Sequence, residues 1–223
     1  MKRISCGFLF IFSFFLISMG QKEAHYVTLT FDDGPRPVVL EKLLPLLNQE
    51  GIKATFFPIG ACIVKNDRWI RKLAAEGHEV ENHSYSHENL TKIPLREAIS
   101  DVEHADNLIE QIIGQRPKFF RPPFFAINKE LRGELNKYGL HTLTHGGNSI
   151  GSLDWIYTHS PEKIIQQIKI VTANRGQKDY VIVFHELENT LKALPEIIRY
   201  FRNQGYVFVR LDEFVKLSPK SQI

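Results

Sequence analysis

Along the chain, short runs of β-branched and apolar residues alternate with segments whose apolar positions recur every three or four residues. Tyr26-Val27-Thr28-Leu29 reads as a strand. Val38 to Leu47 follows as a helix, with Val39, Leu43 and Leu46-Leu47 on one face and Gly51 as its stop. The same reading predicts strands at 53–58, 78–82, 118–121, 141–144, 180–184 and 206–209, and helices at 69–75, 95–113, 129–138 and 187–201. A further helix opens at Ser160-Pro161, an N-cap followed by proline at the first helical position, with Ile164, Ile168 and Val171 as its apolar face. In the helix over 95–113, Ile99, Val102, Ile109 and Ile112 turn inward and Gly114 closes it. Tyr180 to Phe184 is apolar throughout, the pattern of a strand covered on both faces. About seven strand–helix alternations call for a parallel sheet, either a barrel or a doubly wound sheet. Some 200 residues are few for eight complete βα units. The predicted fold is therefore α/β, a distorted or incomplete (β/α) barrel of seven or eight parallel strands in a single domain.

The amino end stands apart from this pattern. Lys2 and Arg3 precede an uncharged run from Ile4 to Met19, and Ser18-Met19-Gly20 supplies small residues at a processing site. Residues 1–20 read as a secretory signal peptide, or as an uncleaved N-terminal anchor, ahead of a domain over 21–223. That predicts a secreted, periplasmic or cell-envelope protein that meets a membrane only through such an anchor. The chain carries 28 Lys and Arg against 25 Asp and Glu, and two of the cations lie in the leader, so the remainder is almost neutral. A near-neutral domain lacks the basic face that nucleic-acid binding needs. Cys62 is the one cysteine past the leader, which excludes an intrachain disulfide there.

Candidate chemistry begins at Thr30-Phe31-Asp32-Asp33-Gly34-Pro35, where a strand runs into a turn. Adjacent carboxylates repel unless a cation or hydrogen bonds intervene. The stretch is thus either a solvated turn or a metal site with one carboxylate as ligand and the other as base. His83-Ser84-Tyr85-Ser86-His87 places two imidazoles four apart, which on one helical turn would share a side and supply two nitrogen ligands. With Asp33 they would make a His-His-Asp set that leaves positions open, as a catalytic zinc or similar site requires. His141 and His145 have the same spacing but fall on a strand-like stretch, where they read as packing or rim residues. His25, His78, His104 and His159 have no partner pattern. Arg121 and His185, like the Asp pair and His83, fall at predicted carboxyl ends of strands, where (β/α) folds collect their chemistry.

The strings Thr30 to Pro35 and His83 to His87 closely resemble the polysaccharide deacetylase family, also called carbohydrate esterase family four or the NodB homology domain. The resemblance spans about residues 26 to 212 and takes in Arg121-Pro122-Pro123, Asp154-Trp155 and Val183-Phe184-His185. It implies a distorted (β/α) barrel and metal-dependent removal of an acetyl group, usually an N-acetyl group, from an acetylated glycan. Asp33, His83 and His87 would bind the divalent metal, zinc or else cobalt or a similar ion. Asp32 would be the general base, kept charged and aimed by Arg121. The backbone N–H of Phe124 would face the developing oxyanion. His185 would protonate the departing amine with Asp154 orienting it, and Trp155 and Val183 would wall an acetate-sized pocket. Two departures from the family stand out: Phe124-Phe125 where Tyr-Gly is common, and Gly151 where an Asp often stands. An O-acetyl esterase of the xylan type and a silent glycan-binding pseudoenzyme are the alternative readings.

Overall fold

Eight strands, all paired in parallel, and eight α-helices alternate in the computed structural model, which describes residues 24–219 apart from 145, 157, 158 and 177. In chain order the strands are β1 (His25–Asp32), β2 (Thr55–Phe57), β3 (Glu79–Val80), β4 (Phe119–Phe120), β5 (His141–Thr142), β6 (Ser149–Gly151), β7 (Tyr180–His185) and β8 (Tyr206–Phe208). The helices are α1 (Pro37–Gln49), α2 (Gly60–Ile63), α3 (Asp67–Ala75), α4 (Leu95–Ile113), α5 (Lys129–Lys137), α6 (Pro161–Arg175), α7 (Glu188–Asn203) and α8 (Leu211–Leu217). The leader predicted over residues 1–20 lies outside the described residues. Among those described, no helix is long and apolar enough to cross a membrane.

Strands β3-β2-β1-β7-β6 form one sheet, with β8 joining β1 at its amino end, and β4-β5 form a second. Among the described residues the two sheets meet through a single bridge, Asn82 to Phe120, and through Glu81, whose carboxylate accepts the backbone N–H groups of Lys118 and Phe119 at 2.7 Å each. A side chain there replaces ladder bonds that two-residue strands cannot supply. No ladder joins β5 to β6 among the described residues, so the predicted barrel is distorted and open at that seam.

β1 shows why the site sits where it does. Its sequence alternates, Val27-Thr28-Leu29-Thr30-Phe31-Asp32, and successive side chains take opposite faces. Val27, Leu29 and Phe31 join the core beneath helices α1, α6 and α7, where Phe31 stacks on Phe56 and Phe184 in neighbouring strands at 5.1 and 5.7 Å. Thr30 and Asp32 carry the other face, toward Arg121. The far end of that interior is closed by α8, which sequence periodicity did not predict: Leu211 and Phe214 pack with Phe57, Phe119, Leu143 and Val181. The short α2 and β6 are likewise additions to the predicted elements, while α4 keeps its predicted bounds. At the start of α6, Ser160 is the N-cap and Pro161 follows it as predicted, but the Ser160 side chain makes no capping bond, and its hydroxyl donates to Glu162 at 2.5 Å.

Candidate metal and hydrolytic site

Five loops leave the carboxyl ends of the strands and converge. Asp32 ends β1 and Asp33 follows it in the left-handed region at φ 68°. That turn throws the two adjacent carboxylates apart, so each meets different partners. Asp32 is buried and takes Arg121 Nη1 on Oδ1 at 2.5 Å, while Oδ2 accepts nothing from the described residues. Arg121, 1% exposed, also donates to Thr30 Oγ1 at 2.9 Å and lies over the Phe57 ring at 4.1 Å. Two hydrogen bonds from Nη1 and the Phe57 ring thus fix the guanidinium that holds Asp32 Oδ1.

Asp33 faces the histidines. Its Oδ1 is 3.3 Å from His83 Nε2 and 3.2 Å from His87 Nε2, and the three ligand atoms lie within 4.8 Å of one another. His83 Nδ1 is 2.7 Å from the carbonyl of Arg121. A carbonyl only accepts, so Nδ1 carries the proton and the Nε2 lone pair of the neutral ring points at Asp33. Asp33 Oδ1 is buried and without a hydrogen-bond partner. Two imidazole nitrogens beside an unpartnered buried carboxylate oxygen suit a cation, and two imidazoles with one carboxylate suit zinc or a similar divalent ion.

The pair does not sit on a helical turn, as the spacing had predicted. Residues 83–87 form a loop in which Ser84 and His87 adopt φ of 65° and 60°. Two left-handed residues fold the loop back on itself and bring ring centroids 83 and 87 to 5.1 Å.

His185 ends β7, opposite Asp32 in the β1–β7 register. Its Nδ1–H donates to Asp154 Oδ1 at 2.8 Å, and its Nε2 stands 3.9 Å from Asp33 Oδ2. Burial by itself would lower the His185 pKa; the Asp154 carboxylate more than reverses this and raises it. Asp154 also accepts the His185 backbone N–H at 2.7 Å and the Thr190 hydroxyl at 2.5 Å. β6 delivers it there, since Ser152 N–H donates to the Val183 carbonyl just before the chain turns through Leu153 at φ 58°.

Phe124, at φ 57°, leaves its backbone N–H without an acceptor among the described residues, while its ring lies 5.1 Å from that of His87. The side chains of Phe124 and Trp155 are 68% and 60% exposed. Trp155 stands exposed at the rim, and Val183 is buried in β7. Of the decoy pair, His141 is exposed on β5 and His145 lies outside the described residues. His78 is buried and accepts the Ala54 N–H, and His104 stacks on Tyr85 at 3.8 Å. Glu186 is buried below Gly34 and accepts the Arg36 N–H at 2.6 Å; burial pushes its pKa up to about 8.

Sequence reasoning overlooked the residues that hold the histidine loop: Asn82, Asp101 and Asp106. Asp106 did leave a signal, a carboxylate four residues after Val102 on the buried stripe of α4.

Residues 19–143, more than half of the chain, match the family model described as polysaccharide deacetylase. The chain belongs to the polysaccharide deacetylase family. It is 33% identical over 193 residues to a peptidoglycan-N-acetylglucosamine deacetylase of Bacillus cereus, covering 84% of this chain and 69% of that protein. It is 30% identical over 188 residues to the peptidoglycan-N-acetylglucosamine deacetylase PgdA of Listeria monocytogenes, of which it spans only 38% of the length. Among solved structures, it superposes on the peptidoglycan deacetylase PdaC of Bacillus subtilis with a TM-score of 0.77 at 28% identity, over 88% of this chain and 93% of that one. The family's distorted parallel barrel is thus the fold of this chain, and the convergent loops lie within it.

Proposed function

We propose that this chain is a metal-dependent hydrolase that removes N-acetyl groups from a glycan containing N-acetylglucosamine, acting outside the cytoplasm behind a leader over residues 1–20. The observation that carries the reading is the convergence on Asp33 Oδ1 of two imidazole nitrogens, flanked by the Arg121–Asp32 and Asp154–His185 pairs. The similarity to peptidoglycan deacetylases favours a cell-wall glycan.

Asp33, His83 and His87 would hold a divalent ion, zinc or one of similar preference. Such an ion supplies Lewis-acid polarisation of a carbonyl and a water of lowered pKa. Asp32, with Oδ1 tied to Arg121, takes the proton of the attacking water on its free Oδ2. The Phe124 N–H, without an acceptor among the described residues, would serve as a donor for the oxygen on which negative charge develops. His185, protonated and held through Nδ1, gives its Nε2 proton to the departing sugar amine, so that acetate and a free amine leave. Asp154 keeps the ring in that orientation and favours its charged form. Trp155 and Phe124 offer apolar faces at the rim, where a pyranose can lie.

Acetate release from a panel of acetylated glycans, including N-acetylglucosamine oligomers, peptidoglycan and acetylated xylan, tests this directly. Release from amide substrates is expected, lost on chelation and restored by zinc or cobalt. Release from esters alone would make the chain an O-acetyl esterase. Metal uptake and glycan binding with no release from any member would make it a silent binding protein and end the proposal.

A further inference from the structure

We propose that Asp101, on α4, is the positioning residue that holds the His83–His87 loop in its metal-binding shape; the inference rests on the reading of Asp33, His83 and His87 as a metal site. The loop has five successive backbone N–H groups, from Ser84 to Glu88, and each finds a side-chain acceptor. Asn82, Ser84 and Ser86, which serve three of them, belong to the loop or its root. Asp101 serves the other two, Tyr85 N–H at 2.7 Å and Ser86 N–H at 3.1 Å, from a separate helix. It is the charged acceptor of the set, and a carboxylate binding backbone N–H groups forms the stronger kind of hydrogen bond.

The opposite side of the loop is held too. Gly60 and Ala61 donate their N–H groups to the Ser84 and Tyr85 carbonyls at 2.9 Å each. A Cβ on Gly60 would stand 2.9 Å from Tyr85 Cα, so α2 is pressed against the loop backbone. The Tyr85 ring, meanwhile, lies on His104, three residues beyond Asp101 on the same face of α4. Tyr85 is thus gripped between two helices, and Ser86 is tied to one of them. The residues on either side, Ser84 and His87, occupy left-handed conformations that cost about 1–2 kcal/mol each for non-glycine residues. Unless its middle is fixed, such a loop relaxes and carries His87 Nε2 away from Asp33. Outer groups that orient ligands commonly govern metal affinity by about 10–100-fold.

The test is zinc affinity of the apoprotein, measured by competition with a chromophoric chelator, together with apoprotein thermal unfolding. Asp101→Ala is expected to weaken zinc binding by about 10–100-fold. Asp101→Asn, which keeps one acceptor oxygen, should fall between it and the wild type and guards against a variant that fails to fold. Glu110→Gln, on the exposed face of the same helix, should bind zinc as the wild type does. A role confined to stability would lower the unfolding temperature and leave the affinity of the folded protein alone, and that result overturns the proposal. Wild-type zinc binding that depends on Asp33 but not on Asp101 defeats this inference and spares the metal site. A wild type that takes up no ion defeats both.

Discussion

Replacing Asp154 by Asn isolates the chemistry proposed for His185. The carboxylate accepts three hydrogen bonds, two from His185 and one from Thr190, with its side chain fully buried. Asn is nearly the same size, so packing survives. Its amide can accept on one side only, and it carries no charge. If Oδ1 keeps the His185 Nδ1–H, an NH₂ group is turned toward the His185 N–H and the two donors oppose each other. If the amide is reversed, the imidazole loses its acceptor. Either way the protonated ring loses a hydrogen bond to a charged group, of the kind that contributes about 1.5–3 kcal/mol. Felt wholly in the transition state, that is roughly a ten- to hundred-fold fall in kcat, a partial loss of the about 10²–10⁴ that a positioned general acid supplies. The pH profile carries the sharper signature. Asp154 raises the His185 pKa against the lowering effect of burial. An acid that must be protonated stops working as pH rises through its pKa, so wild-type activity has an alkaline limb. In Asp154→Asn that limb is expected at lower pH, with zinc content and KM little changed. The assay is acetate release over the pH range at saturating substrate. An alkaline limb that does not move, or one that moves upward, refutes the assignment of His185 as the acid supported by Asp154.

Arg121→Met leaves the buried Asp32 carboxylate uncompensated, which typically costs about 3–5 kcal/mol; at roughly 2–4 °C per kcal/mol for a chain of this size, the melting temperature is expected to drop by about 6–20 °C. Adding Asp32→Asn removes the stranded charge and should recover a good part of the loss, and a double variant no more stable than the single one counts against the pairing as the cause. Zinc at a hundred times its Kd is expected to stabilise the fold by about 2.7 kcal/mol, seen as a higher melting temperature that Asp33→Ala abolishes; a shift that persists in Asp33→Ala places the ion elsewhere. Burial holds the Glu186 carboxyl at about 8, above its ordinary 4.5, so its protonated form stabilises the fold at low pH and that contribution drains away as pH rises between the two values. Apo Glu186→Gln, always neutral, should lose less stability than the wild type between pH 5 and 8.5, and parallel melting curves across that span would contradict the raised pKa.

How much of this was legible beforehand depends on the kind of signal. α4 was readable to the residue, because nineteen residues of helical periodicity end at a glycine that adopts φ 70°. β1 and β7 were readable because long buried strands are apolar or strictly alternating. β6 and α8 were not: β6 is three residues long and includes a serine and a glycine, and α8 is a single short helix whose apolar residues make sense only beneath an open barrel end. At the site, the Asp pair and the histidine pair were conspicuous as residue types, and the structure brings Asp33, His83 and His87 together as expected. The predicted means was wrong. Four-residue spacing suggested a helical turn, and a loop does the work, because spacing records which residues are near one another in sequence and not the φ angles between them. Asp101 was hidden for a related reason: its partners are backbone N–H groups, which leave no mark on the identity of the residues that carry them.

Those φ angles are not scattered. The non-glycine residues with positive φ among those described are Asp33, Ser84, His87, Phe124, Phe125 and Leu153, and every one lies in a loop at the carboxyl ends of the strands that carries or adjoins a site residue. Left-handed backbone costs about 1–2 kcal/mol per non-glycine residue, so the rim of the barrel stores several kcal/mol that elements elsewhere must offset. The restraints that hold this strain are specific: a guanidinium fixed against Asp32, Thr30 and Phe57, a glutamate under Gly34, and a side-chain acceptor for each N–H of the histidine loop. Strain held in this way resists collapse of the cleft around its own ligand atoms. Without it, Asp33 and the two imidazoles would relax toward ordinary hydrogen bonds and satisfy one another. With it, Asp33 Oδ1 stays buried and unpartnered between two imidazole nitrogens. The distortion and the convergence of these three side chains are therefore one property of the fold, which is why loosening a loop from outside, at Asp101 or Glu186, should be felt at the proposed metal site before it is felt in the core.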